Sequence, residues 1–171
     1  FYLGDNTLNA IYYTENDGSF TITNLDGGDL YSPFHLTAGF YFSGIYIKDG
    51  YTYQGGYDNT VRKINPSGNE VWSFTGHTGT VFSVAVDADG YVYSGSRDNT
   101  LRKIDPSGNE VWSFTGHTSY VYSIAVDADG YVYSGSYDKT VRKINSSGTE
   151  VWSFTGHTAT VPYVAVDADG Y

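Results

Sequence analysis

An all-β architecture, a β-propeller of four-stranded antiparallel blades, is the fold class this sequence predicts. Three observations predict it. A unit of forty residues recurs, and residues 51–90, 91–130 and 131–170 agree at roughly three-quarters of their positions. A period that long marks a copied supersecondary unit, which must stack on its neighbours to bury its apolar faces. Each unit holds four short apolar runs separated by turn residues, with no helical period between them. The composition favours Tyr, Val, Thr, Gly and Asn, the residues of strands joined by tight turns.

Residues 77–116 serve to place the elements. Val81-Phe82-Ser83-Val84-Ala85-Val86 has strand length and is apolar at nearly every position, as expected of an innermost strand, a, covered on both faces. Asp87-Ala88-Asp89-Gly90 is a hairpin signal, because Gly takes positive φ without strain. Tyr91 to Ser96 is then strand b. Asp98-Asn99 turns the chain into strand c, Thr100 to Ile104, and Pro106-Ser107-Gly108-Asn109 turns it into strand d, Glu110 to Thr115. Gly116-His117-Thr118 leads on to the next strand a. Four antiparallel strands per forty residues is the signature of a propeller blade.

The first fifty residues read as a diverged copy. Asp17 to Asn24 parallels Asp58 to Asn65, Gly27 matches Gly68, and Asp29-Leu30-Tyr31-Ser32 matches Glu70-Val71-Trp72-Ser73. Ala10 to Glu15 is its strand b, and Phe1 to Gly4 the stub of its strand a. The expected blades are residues 1–34 (diverged), 40–75, 80–115 and 120–155, with an extra strand at 160–167. That extra strand has three readings. It closes a four-bladed ring by completing the first blade, or the chain belongs to a longer ring, or two or more copies associate into one ring. The second is preferred here, because both ends of the sequence break inside a hairpin and look cut.

Composition narrows the functions. The chain has 171 residues, 40% apolar, 16% charged and 18% aromatic, which fits a packed domain and not a disordered one. A net charge of −10 argues against nucleic acid and against anionic membrane surfaces. No apolar run approaches the ~20 residues that span a bilayer. With no Cys there is neither a disulfide framework nor a thiolate zinc site. The first residue is Phe1, not Met, and no signal peptide is visible. The near-identical tandem units suit a bacterial or phage protein, and an extracellular, cell-surface or virion setting is favoured over the cytoplasm.

Two motifs carry resemblance to known families. Gly76-His77, Gly116-His117 and Gly156-His157, with Ser94-Gly95-Ser96 before Asp98 and Ser134-Gly135-Ser136 before Asp138, resemble the WD-repeat family. That resemblance implies a buried hydrogen-bonded network of His77, Ser94 and Asp98, and a second of His117, Ser134 and Asp138. The family's strand-c Trp is replaced by Ile64, Ile104 and Ile144, and the unit before carries Thr37 and Gln54 in place of His and Ser. Asp105 to Trp112, in turn, resembles the repeat of propellers that bind pyrroloquinoline quinone. The WD-like side implies a rigid platform for partner proteins. The quinone-like side implies a dehydrogenase only where cofactor ligands are present, and none is identifiable, so no cofactor is expected.

The remaining candidates are weighed on residue chemistry. His77, His117 and His157 fall in different blades, which keeps them from converging on one metal ion. Asp87-Ala88-Asp89-Gly90 resembles part of a calcium loop, but two carboxylates are few for an ion that takes about 6–8 oxygens, so a hairpin turn is the reading. Arg62-Lys63, Arg102-Lys103 and Arg142-Lys143 are expected to pack their stems between blades with heads toward Glu70, Glu110 and Glu150. Trp72, Trp112 and Trp152 are expected to pack between outer strands. No nucleophile–base pair, phosphate loop or metal spacing stands out, so no catalytic residue is assigned. The units differ from one another mainly in the d–a connection and the b–c turn, which lie at one end of a propeller. Tyr57, Arg97, Tyr120, Tyr137 and Lys139 are therefore the candidate binding residues, of types favoured at interface hot spots. The expected function is a non-enzymatic scaffold for a protein partner. A carbohydrate-binding propeller, a surface or virion component and a fragment of a quinone enzyme are the alternatives.

Overall fold

The computed structural model describes residues 11–14, 20–23 and 42–167. A two-stranded ladder joins β1 (Ile11–Thr14) and β2 (Phe20–Thr23). Three four-stranded antiparallel sheets follow, each a meander in chain order. The first holds β3 (Phe42–Lys48), β4 (Tyr51–Gly56), β5 (Val61–Ile64) and β6 (Glu70–Phe74). The second holds β7 (Val81–Val86), β8 (Val92–Ser96), β9 (Leu101–Ile104) and β10 (Glu110–Phe114). The third holds β11 (Val121–Val126), β12 (Val132–Ser136), β13 (Val141–Ile144) and β14 (Glu150–Phe154). The all-β propeller-type fold read from the repeat is the fold observed.

The turns form as their residues dictate. Gly90 and Gly130 take φ of 86° and 79° in the a–b hairpins, where the Asp87 and Asp127 carbonyls accept from the glycine N–H. Both Oδ1 atoms of these aspartates accept from the backbone N–H of Tyr91 and Tyr131, and both Oδ2 atoms accept from the hydroxyls of Tyr93 and Tyr133. Burial and the Asp87 carboxylate push the Tyr93 phenol up, so it remains a donor. These carboxylates are consumed inside the turn, and no cluster of metal-ligating side chains occurs among the described residues. On strand d, a register shift between Glu110 and Trp112 turns Val111 to solvent and Trp112 inward.

The core lies between sheets, not within one. Tyr53, Val61 and Phe74 of the first sheet pack with Val81, Val84, Val86, Val92 and Ile104 of the second. Ala85, Tyr93, Leu101 and Phe114 of the second pack with Val121, Ile124, Val132 and Ile144 of the third. The first strands β3, β7 and β11 contact one another in series, so they form the inner edge of the stack. Glycine on strand b permits this approach: a Cβ on Gly55 would stand 2.6 Å from Val81, and one on Gly95 2.8 Å from Val121. The tryptophans join sheet to sheet, with Trp72 Nε1 donating to Pro106 O at 3.0 Å and Trp112 Nε1 to Ser146 O at 3.1 Å.

Three expectations are corrected. Residues 160–167 were expected as a further strand, but no ladder includes them among the described residues. A strand needs a hydrogen-bonded ladder, and no described strand pairs with this segment. The lysines of strand c do not follow the arginines toward glutamate. Arg62, Arg102 and Arg142 do pair with Glu70, Glu110 and Glu150, while Lys63, Lys103 and Lys143 lie on the opposite face over Tyr51, Tyr91 and Tyr131, within 4.6 Å of each ring centroid. Trp152 does not pack as Trp72 and Trp112 do, because it is exposed. Thr37, Phe1 to Gly4 and Asp29 to Ser32 lie outside the described residues.

Candidate functional site

The d–a connections and b–c turns meet at one end of the sheets, and a hydrogen-bonded frame holds them together. His77 Nδ1 lies 2.8 Å from Asp98 Oδ2, and its Nε2 lies 2.8 Å from Ser94 Oγ. One sheet on, His117 makes the same contacts with Asp138 at 2.7 Å and Ser134 at 2.8 Å. A carboxylate only accepts, so Nδ1 carries the proton and Nε2 accepts from the serine hydroxyl. Asp98 also accepts from Thr78 N and from Thr100 N and Oγ1, and Asp138 from Thr118 N and from Thr140 N and Oγ1. Burial opposes the charge on both carboxylates, but the hydrogen bonds from His77 and Thr100, and from Thr140 and His117, hold each well below the usual carboxylate range. Burial pushes the His117 imidazole down, against the pull of Asp138.

Serine, histidine and aspartate in this order have the connectivity of a nucleophilic triad. Ser94 and Ser134 are nevertheless fully buried in mid-strand, where no substrate carbonyl reaches Oγ. The geometry is that of a brace, locking the d–a connection to the b–c turn. In the first sheet, where Gln54 replaces the serine, Asp58 accepts from Thr60 Oγ1 and pairs with Arg62 at 2.6 Å. Arginine there does part of the histidine's work.

Above this frame lies an aromatic cluster at the inner edge. Tyr120 stands 6.0 Å from Tyr137, 6.3 Å from Tyr122 and 6.4 Å from Phe82, while Phe82 and Tyr122 approach to 5.0 Å. The Arg97 guanidinium lies over the Tyr120 ring at 5.2 Å. The backbone fixes both loops, since Arg97 N donates to Thr80 O and Tyr137 N to Tyr120 O. Of the candidate binding residues, Arg97, Tyr120 and Tyr137 thus come together. Tyr57 occupies the Arg97 position one sheet back and is half exposed. Lys139 is exposed outside the cluster, in the left-handed region at φ 70°. Sequence reasoning missed Phe82 and Tyr122. Their signal was the Phe82, Tyr122, Pro162 mismatch, which sits inside strand a where a packing role hides it.

Comparison with known proteins places this geometry in a family. The family model described as outer membrane protein assembly factor BamB matches residues 57–168. The chain belongs to this family. The matched span includes the stretch Asp105 to Trp112 that resembles quinone-type repeats. The fold is also that of the computationally designed Ika8 protein, at 20% identity and a TM-score of 0.78, covering 95% of this chain and 51% of that one. A chain of the mitotic checkpoint complex is similar at 21% identity and a TM-score of 0.80, covering 93% of this chain and 50% of that one. The chain therefore spans about half the length of these structures. No curated protein matches it in sequence. Propeller repeats of these kinds are generally non-enzymatic, and such a domain fits a protein-interaction scaffold.

Proposed function

We propose that this chain is a non-enzymatic recognition scaffold whose d–a and b–c loop face binds a protein partner, with Arg97, Tyr120 and Tyr137 at its centre and Phe82 and Tyr122 beneath. The blades of this reading are residues 1–34, 40–75, 80–115 and 120–155. The observation that carries it is the aromatic cluster itself: four rings and one guanidinium, drawn from two adjacent sheets, on a frame tied down by buried histidines. Tyrosine and arginine on rigid support lose little side-chain freedom on binding, and they dominate interface hot spots. Tyr57 and Lys139 extend the face to either side. A net charge of −10 keeps nucleic acid from competing.

Panning a displayed peptide library against the chain tests this reading. Selected peptides are expected to lose about 30-fold or more in affinity for Tyr120→Ala and for Arg97→Ala, the scale of a hot-spot truncation. Peptides indifferent to both substitutions overturn the placement. A glycan-array signal that Tyr120→Ala abolishes would establish the carbohydrate-binding alternative instead.

A further inference from the structure

The nine Lys and Arg residues of the chain divide by what holds them. Lys48, Arg62, Arg102 and Arg142 each pair with a carboxylate, from Asp49, from Asp58 and Glu70, from Glu110 and from Glu150. Lys63, Lys103 and Lys143 lie over the tyrosines of strand b. Among the described residues Arg97 and Lys139 belong to neither group, and both are exposed on b–c turns. The carboxylates of those same turns are committed. Asp58 pairs with Arg62, while the Asp98 and Asp138 side chains are buried against the histidines. Exposed acid sits at the opposite end, in the a–b turns, at Asp49, Asp89 and Asp129. A chain of net charge −10 thus turns two cations outward on its loop face, with no uncommitted b–c carboxylate beside them among the described residues.

Arg97 is placed to use that charge. The turn that bears it closes tightly on the d–a connection, since a Cβ on Gly79 would stand 3.2 Å from Arg97 Cβ and 2.9 Å from Asp98 N. From there the guanidinium reaches across to the next sheet and lies 5.2 Å over the Tyr120 ring. A cation held by a ring keeps its full charge, and the planar fork of a guanidinium matches a carboxylate with two parallel hydrogen bonds. Beside it is an apolar floor. Phe82 and Tyr122, both half-buried, stand 6.4 Å and 6.3 Å from Tyr120 and 5.0 Å from each other. An extended peptide carries side chains i and i+2 on one face roughly 7 Å apart, the scale of these steps. One such segment can set a carboxylate on the guanidinium and an apolar side chain on the floor.

We infer that the partner segment taken by this face is acidic: an extended peptide with an Asp or Glu side chain on Arg97 and an aromatic or aliphatic side chain, two residues away, on Phe82 and Tyr122. This rests on the loop-face binding proposed above and adds the partner's charge to it. Charge complementarity selects the occupant. Arg97 and Lys139 repel a basic segment here, and Asp49, Asp89 and Asp129 draw it to the other end. A nucleic acid needs a row of cations along its phosphates, which two exposed cations do not make. An acidic partner is repelled by the molecule as a whole and meets attraction at this end, so the same charges that weaken its approach elsewhere orient it on arrival.

A random peptide library panned in parallel on the chain and on its Arg97→Glu variant tests the inference. Peptides selected by the unaltered chain are expected to be enriched in Asp and Glu. Replacing those residues by Asn and Gln should weaken binding about fivefold or more. Against Arg97→Gln the same replacement should matter less than about twofold, because the charge it answered is already gone. Arg97→Glu should select Lys- and Arg-rich peptides instead. Affinity for the unaltered chain should fall between about 50 and 500 mM salt, since Arg97 is exposed. Synthetic peptides with free and amidated C-termini should bind alike; a loss on amidation alone assigns the carboxylate to a chain end and overturns the side-chain placement. Peptides that need Tyr120 but show no acidic bias, or the same selection on Arg97→Glu, overturn the acidic partner and leave the loop face standing as a binding site. Peptides indifferent to Tyr120 overturn both, as does a library that yields no binder.

Discussion

His117 has no exposed side-chain surface and one acceptor and one hydroxyl to satisfy its two ring nitrogens. Its removal takes one of four hydrogen bonds from the Asp138 carboxylate and leaves the Ser134 hydroxyl without its acceptor in a place water does not reach. His117→Ala is therefore expected to cost ~1–3 kcal/mol in denaturant unfolding. His157→Ala, at an exposed copy of the same position, should stay within ~0.5 kcal/mol. The same pair sets the response to acid. Burial lowers the folded-state value of His117 below the ~6.5 of the unfolded chain, so its contribution is complete above that pH and is lost as pH falls through the folded value. Asp98 and Asp138 are depressed from ~3.9, so their contribution persists to lower pH and is lost last. The melting temperature should hold from neutral to mildly alkaline pH, begin to fall below about pH 6.5 and fall further below about pH 4, with the first loss reduced in His117→Ala. Lys139 gives a residue-scale gain. It stands at φ 70° where Asn59 and Asn99 stand at 67° and 70°. Asparagine tolerates this region better than lysine, so Lys139→Asn should stabilise by roughly 0.5 kcal/mol in the same assay. An unchanged midpoint would mean the turn carries no strain.

At the scale of elements, the tryptophan of strand d is the joint between sheets. Trp112→Phe keeps most of the ring but deletes the N–H that Ser146 O accepts, and should cost about 1 kcal/mol. Trp152→Phe should cost nothing measurable, since the Trp152 side chain is exposed. Unequal response from two copies of one pentapeptide shows what could be read in advance. The four strands, their turns and the His–Ser–Asp positions were legible because each is a local pattern repeated at a fixed distance. Thr100 and Thr140, which complete the carboxylate's hydrogen bonds, were not, because threonine is ordinary in strands and nothing marks its hydroxyl as turning back two residues onto the aspartate. The lysines of strand c were misread for a related reason. Alternation along the strand sends Arg102 and Lys103 to opposite faces, but only the assembled sheet shows Tyr91 and Tyr93 waiting on the second face. The aromatic cluster was half legible. Arg97, Tyr120 and Tyr137 vary between units in loops, whereas Phe82 and Tyr122 vary inside a strand, and only the stacking of β7 on β11 brings the two sets together.

For the whole molecule, stability should follow position in the stack. A repeat array gains most of its stability at the contacts between neighbours, so a unit covered on both sides opens less readily than one covered on a single side. Strands β10 and β14 make the comparison clean, because Glu110–Phe114 and Glu150–Phe154 have the same sequence and hence similar intrinsic exchange chemistry. Their surroundings differ by the burial of Phe114 and the partial cover of Trp112. Burying a phenylalanine is worth ~1.5–3 kcal/mol, which corresponds to a factor of roughly 10–150 in the population of the open form. The amides of β14 are expected to exchange at least about tenfold faster than those of β10 in hydrogen–deuterium exchange. Equal protection would mean that the sheets open only together, and that the covered joints couple the array more tightly than their local burial implies.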